Sequence, residues 1–339
     1  MNTQLEIFCG TGGVGKTTLA ASRAYYQSVQ QNKKTLLITI DPSNRLKQLL
    51  NLEKEGEITQ VQIKGDHSMN AMLMSPQSTF ERITKFQSKR LQNSRILTAL
   101  MKPYGGLQEI MSVIELQYQL DSNQYDCIIL DTPPGPHFLD FLESSQKINN
   151  FFNSSFIETF NAIQKTGRES QVGSLMKKIG SLGINKVLSF LEKVTGKPFI
   201  DEFIDTINLL FDAKDQFMRA LEFPAGKADY STSWYLVTSV EQQKIMQAED
   251  LANKASRYLD NNISLLINKT CHKDIHTWEP QNTELKVFKE AMLAKEFRIK
   301  EFAAQSFKRL IVFPEVLDTQ ALVQLEQLSQ NWTAQSDKQ

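Results

Sequence analysis

Residues 5–18 read LEIFCGTGGVGKTT, a short apolar run that ends in a glycine cluster followed by Lys16, Thr17 and Thr18. The order is GxxxxGK[ST], and a helical pattern over residues 17–31 follows it. A strand before the motif and a helix after it are the context that defines a phosphate loop. The glycines let successive backbone N–H groups converge on phosphate oxygens, and the helix start adds its partial positive charge. Gly12, Gly13, Val14 and Gly15 supply this cradle. Lys16 is expected to bridge the β- and γ-phosphates of a nucleoside triphosphate. Thr17 is expected to offer its hydroxyl to Mg²⁺, and Thr18 to bond the α-phosphate.

Outward from the loop, residues 35–40 (TLLITI), 127–130 (CIIL), 234–238 (WYLVT), 264–267 (SLLI) and 309–313 (RLIVF) are unalternating apolar runs. Such runs suit parallel strands covered on both faces. Residues 241–259, 284–304 and 319–328 read as the helices between and after the later strands. Strand–helix alternation with short connections predicts an α/β fold with a doubly wound, mostly parallel sheet. Residues 75–118 and 148–221 read as mostly helical, and sheet elements lie on both sides of the second stretch. The expected organisation is a first part of the nucleotide domain over residues 1–147, a helical insertion subdomain over 148–228, a second part over 229–331, and a frayed tail over 332–339.

Two aspartates end strands on the side where ligands bind in such sheets. Asp41 ends the second run, in IDPSNRL, and Asp131 ends the run in YDCIILDTPPGPHFLDFL. A carboxylate there holds Mg²⁺ through water or orients an attacking water. Asp131 suits the Mg²⁺ side and Asp41 the water. Pro133, Pro134 and Pro136 stiffen the next loop and leave Gly135 to present its N–H to a γ-phosphate.

Composition narrows the classes. The chain carries 38 Lys plus Arg against 38 Asp plus Glu, so no global field holds it on nucleic acid or an anionic membrane. No segment approaches the roughly 20 consecutive apolar residues of a membrane span, so stable membrane insertion is not expected. Cys9, Cys127 and Cys271 are far apart and form no CxxC, which excludes a disulfide framework and points to a reducing, cytoplasmic setting.

Taken together, GGVGKTT, IDPSNRL, DTPPGPHFLDFL, the helical stretch with TGKPFIDEF, and the segments LVTS and LLINK resemble the ArsA-type anion-transporting ATPases. That family has a deviant Walker A loop. It includes the arsenite-pump ATPase and the ATPase that targets tail-anchored proteins, with MinD and ParA as cousins. DTPP followed by HxLxFL points to a bacterial branch. The resemblance implies a dimeric ATPase that uses ATP and Mg²⁺, with Asp41 positioning the hydrolytic water. It places Asp131, Gly135 and His137 on a second switch, Asn268 at the adenine edge, and Phe313, Pro314 and Glu315 beside the base. The guanine code NKxD is not met, because Cys271 follows Asn268-Lys269-Thr270, so ATP is expected over GTP.

Two departures qualify the resemblance. The family's loop begins with a lysine that reaches across the dimer, and that position is Thr11 here. A cation supplied in trans to phosphoryl transfer is worth roughly 10³–10⁵ in rate. The chain is therefore expected either to pair with a paralogous ATPase that supplies the lysine or to bind ATP and hydrolyse it poorly, and the dimer is expected to be a homodimer or a heterodimer with such a paralogue. The metal-binding cysteines of the two named relatives are also missing, which argues against metalloid transport.

In the helical stretch, Phe199/Ile200, Phe203/Ile204, Ile207, Leu210/Phe211, Phe217/Met218 and Leu221 form one apolar stripe, and Ile148, Phe151/Phe152, Phe156, Phe160 and Ile163 another. They suit packing against the domain core or a groove for a hydrophobic protein client. Residues 165–197 are locally basic. The reading is an ATPase switch that couples Mg-ATP binding and slow hydrolysis to a client or partner machine. One alternative is a catalytically weak regulatory subunit. A ParA- or MinD-like positioning ATPase is the other, but residues 319–328 lack a lysine-rich amphipathic face.

Overall fold

The structure, a computed structural model, describes residues 3–40, 45–84, 108–144, 230–259, 263–271 and 273–332, with residues 205, 206, 215 and 217. In chain order they form β1 (Gln4–Gly10), α1 (Lys16–Val29), β2 (Thr35–Thr39), α2 (Arg45–Leu50), β3 (Ile58–Lys64), β4 (His67–Leu73), α3 (Pro76–Ile83) and α4 (Gln108–Asp121). Then come β5 (Cys127–Asp131), α5 (Pro136–Leu142), β6 (Ser231–Ser239), α6 (Gln242–Ala255), β7 (Ile263–Thr270), α7 (Lys273–Thr277), α8 (Thr283–Ser306), β8 (Leu310–Pro314) and α9 (Ala321–Ser329). The two apolar stripes, the basic stretch 165–197 and the polar tail fall almost wholly outside the described residues.

The eight strands form one sheet in the order β3-β4-β2-β5-β1-β6-β7-β8. Every pairing is parallel except β3 with β4. β2 and β5 are buried at every residue, as continuous apolar runs between two helical layers must be. From the centre, the chain leaves β1 toward β2 on one side, while β6 leads to β7 and β8 on the other. Ligands bind such sheets where the winding direction reverses, beyond the carboxyl ends of the strands.

The edge hairpin of β3 and β4 is an addition to the strands expected from sequence. β3 alternates exposed and half-buried residues over ITQVQIK, so it has no unbroken apolar run to announce it. Its signal is the two-residue connection Gly65-Asp66, with Gly65 at φ 54°.

The residues fall into two compact units. One draws on Met1–Ser75, Tyr118–Leu142 and Ala228–Gln339, the other on Pro76–Gln117 and Glu143–Lys227. In the second, the fully buried Glu115 accepts from Thr79 Oγ1 and Arg82 Nη1, each at 2.6 Å, joining α3 to α4.

In the first unit a polar network fastens α1 to β1. Glu6 is buried on the central strand and accepts from Arg23 Nε at 2.8 Å, Arg23 Nη2 at 2.7 Å, Gln27 Nε2 at 2.9 Å and Gln4 Nε2 at 2.8 Å. Burial works against the Arg23 charge, but Glu6 more than offsets it and holds that pKa above its ordinary value. The guanidinium also lies over Tyr26, Tyr235 and Trp332, at 5.0, 5.6 and 4.8 Å from the ring centres. Trp332 closes the cluster, packed on Phe313 at 4.6 Å and donating from Nε1 to Ser22 Oγ at 3.1 Å. Glu6→Ala strands a buried cation, and its expected cost is about 3–5 kcal/mol of folding stability, measured by urea denaturation.

Candidate nucleotide site

The site begins where β1 runs out between β5 and β6. A Cβ on Gly10 would lie 2.3 Å from the Val237 carbonyl oxygen, so only glycine lets β1 approach β6 this closely. Gly15, at φ 91°, caps α1 and stands against Asn268, whose Nδ2 a Cβ would meet at 2.3 Å. No side chain caps the start of α1. Its first N–H groups, which have no intrahelical acceptors, are left to an anion.

Four successive loop carbonyls, those of Thr11 to Val14, are each held by a side chain. Thr11 O accepts from Lys16 Nζ at 3.3 Å, Gly12 O from Lys244 Nζ at 3.3 Å, Gly13 O from Lys269 Nζ at 3.4 Å, and Val14 O from Asn268 Nδ2 at 2.9 Å. A carbonyl only accepts, so the Asn268 amide must turn Nδ2 to Val14 and keep Oδ1 as its remaining acceptor. Lys269 adopts the left-handed conformation at φ 60°, which costs a residue with a side chain roughly 1–2 kcal/mol.

Below the loop, Asp131 is fully buried at the end of β5. Its Oδ2 accepts from Thr17 Oγ1 at 2.7 Å and from Thr39 Oγ1 at 2.9 Å. The next residue is also tied down: Thr132 donates to Phe8 O through N at 3.1 Å and Oγ1 at 2.8 Å. Gly135, at φ 51°, donates its N–H to Gly10 O at 3.1 Å, so that N–H is engaged by the loop's own backbone.

The residues expected from sequence converge to different degrees. Gly12, Gly13, Gly15, Lys16, Thr17, Thr18, Asn268 and Pro314 line one cavity of about 600 Å³. Val14 is buried in the hydrophobic core under the loop. Asp131 sits behind Thr17. Gly135 and His137 line a neighbouring cavity of about 570 Å³ with Thr11 and Gly12. Asp41 lies outside the described residues. The structure adds Arg45, Lys269 and Val316 to the main cavity, and Lys244 beside the loop. Lys269 is in the LLINK segment already singled out, whereas Lys244 falls in an unremarkable helix start and carries no sequence signal.

Among the described residues no group of three His, Cys, Asp or Glu is placed to hold a metal ion. None of the described helices is long and apolar enough to cross a membrane. Burial pushes the Cys9 thiol up to about 12 and the Cys127 thiol well above its usual value, and Cys271 is raised by burial and by Glu296.

A phosphate loop, a buried strand-end aspartate bonded to the loop threonine, and a cavity at the winding reversal of a parallel sheet define a P-loop nucleotide-binding protein. The profile of the anion-transporting ATPases matches residues 3–277, and the chain belongs to that family of ATPases. It is 23% identical to an arsenical pump-driving ATPase 2 of Aquifex aeolicus, over 84% of each chain. It is 32% identical to ATPase ASNA1 homolog 2 of Paramecium tetraurelia, over 39% of this chain and 41% of that one. Identity to ATPase get3 of Schizosaccharomyces pombe is 28%, over 52% of this chain and 51% of that one. Against the last two, the match spans about half the relative's length or less.

The thiols give a direct check on how closed the sheet is. Native protein treated with a disulfide reagent at pH 8 is expected to react only at Cys271, with Cys9 and Cys127 released on unfolding. The Cys9 pKa is raised on folding, so its contribution to stability is intact below the ordinary value of 9.0 and is lost as the pH rises toward about 12.

Proposed function

We propose that this ATPase acts in the cytoplasm as a dimeric switch that couples Mg-ATP binding and slow hydrolysis to a hydrophobic protein client or a partner machine. The observation that carries the reading is the buried Thr17–Asp131 bond at the floor of the phosphate cavity. A hydroxyl and a carboxylate in contact there suit a hard cation with oxygen ligands. Thr17 would hold Mg²⁺ directly and Asp131 from behind. When bound, the ion neutralises charge on the β- and γ-phosphates.

The remaining roles belong to the chain's own groups. Lys16 exchanges the Thr11 carbonyl for phosphate oxygens. The N–H groups from Gly12 to Thr18 take the phosphates, and Asp41 orients the attacking water. Asn268 Oδ1 accepts from the exocyclic amine of adenine, and Pro314 flanks the ring. A guanine would set its carbonyl against that oxygen, which supports ATP over GTP. The Gly135 N–H leaves Gly10 O when a γ-phosphate offers a better acceptor, and this exchange gives the second switch two states. Resemblance to the targeting ATPases supports the client, and the named ATPases among the relatives support hydrolysis.

Thr11 favours a second reading, a weak subunit completed by a paralogue. Its hydroxyl is buried, has no hydrogen-bond partner among the described residues, and brings no charge to the loop. Phosphate release by the purified chain, alone and with candidate partner ATPases, separates the two. Lys16→Ala and Asp131→Asn are each expected to lower turnover roughly 10²–10³-fold. Turnover untouched by either change would contradict the site.

A further inference from the structure

Four consecutive loop carbonyls, Thr11 to Val14, accept from four side chains, and two of the donors, Lys244 and Lys269, are not among the groups proposed to touch the nucleotide. In a trans peptide plane the C=O of one residue and the N–H of the next point in opposite directions. Fixing the Gly12 carbonyl therefore aims the Gly13 N–H the other way, and fixing the Gly13 carbonyl aims the Val14 N–H. The two lysines hold two of the peptide planes from which an anion site is built.

Their placement is specific. Lys244 reaches the loop from the first turn of α6 and Lys269 from the end of β7. Successive residues of a strand point to opposite faces, so Asn268 and Lys269 should diverge. Instead both donate to adjacent loop carbonyls. The left-handed backbone at Lys269 and the register shift between Ile267 and Thr270 redirect the second side chain. Such an outlier beside a ligand cavity is a mark of function. Neither lysine has an ion-pair partner among the described residues, so their charge is not neutralised locally.

We infer that Lys244 and Lys269 are cationic positioning residues for the nucleotide phosphates. Acting through the carbonyls of Gly12 and Gly13, they organise the loop in cis and supply positive charge that position 11 lacks. The inference rests on the reading of this loop as the triphosphate site. It assigns to this chain's own lysines part of the electrostatic work that a partner would otherwise bring.

Equilibrium binding of fluorescent ATP and ADP analogues to the full chain tests it, at low and at high salt, with thermal melting alongside. Lys244→Met and Lys269→Met are each expected to weaken binding about three- to tenfold and to flatten its salt dependence. Melting temperatures should stay at the wild-type value, and Lys244→Arg and Lys269→Arg should bind within about twofold of wild type. Lys16→Ala is the control for the site itself. Wild-type binding that Lys16→Ala abolishes but both methionine variants leave unchanged overturns this inference alone, as do arginine variants no better than the methionine ones. A wild-type chain that binds no nucleotide overturns the triphosphate site and the inference with it.

Discussion

Asp131 is a carboxylate with no exposure to solvent, and a buried carboxylate must be met by hydrogen-bond donors. Two of its donors come from different elements: Thr17 in the first turn of α1 and Thr39 at the end of β2. One side chain thus joins the central helix to two strands at the edge of the phosphate cavity. The position of α1 fixes the loop, and Asp131 helps fix α1. On the same helix the buried Glu6–Arg23 pair holds the next turns to β1, so the anion-binding end of α1 is braced from below and from the side.

The loop carbonyls as they stand are satisfied within the protein. Lys16 bonds the Thr11 carbonyl and Gly135 bonds the Gly10 carbonyl. In the proposed function a triphosphate competes for both donors, since an anionic acceptor makes a stronger bond than a neutral carbonyl. In that proposal, the energy difference between the two sets of bonds is set by the γ-phosphate. That is the requirement for a switch, since a ligand moves an equilibrium only by its differential affinity for the two states.

Much of this was legible in the residues because the responsible signals are local. Glycines at fixed spacing, Lys16-Thr17-Thr18 and uninterrupted apolar runs specify a strand, a loop and a helix without reference to the rest of the chain. The β3–β4 hairpin was not legible from apolar runs, because an edge strand with one half-buried face shows only the weak alternation of Ile58–Lys64. Lys244 was not legible at all. Nothing in EQQKIM distinguishes it from a solvated helix lysine, and its approach to Gly12 depends on β1 and β6 lying side by side. Lys269 falls between these cases: the sequence shows it beside Asn268, but period-2 alternation sends it to the wrong face until the bulge in β7 is known.

The cavity above Asp131 and beside Asn268 is proposed as a Mg²⁺-dependent ATP site. Calorimetric titration of the purified chain with ATP and with GTP, each with and without Mg²⁺, measures it most directly. Saturable one-site binding of ATP that tightens with Mg²⁺ and exceeds the affinity for GTP is expected. Absence of ATP binding, or equal affinity for the two nucleotides, would contradict it.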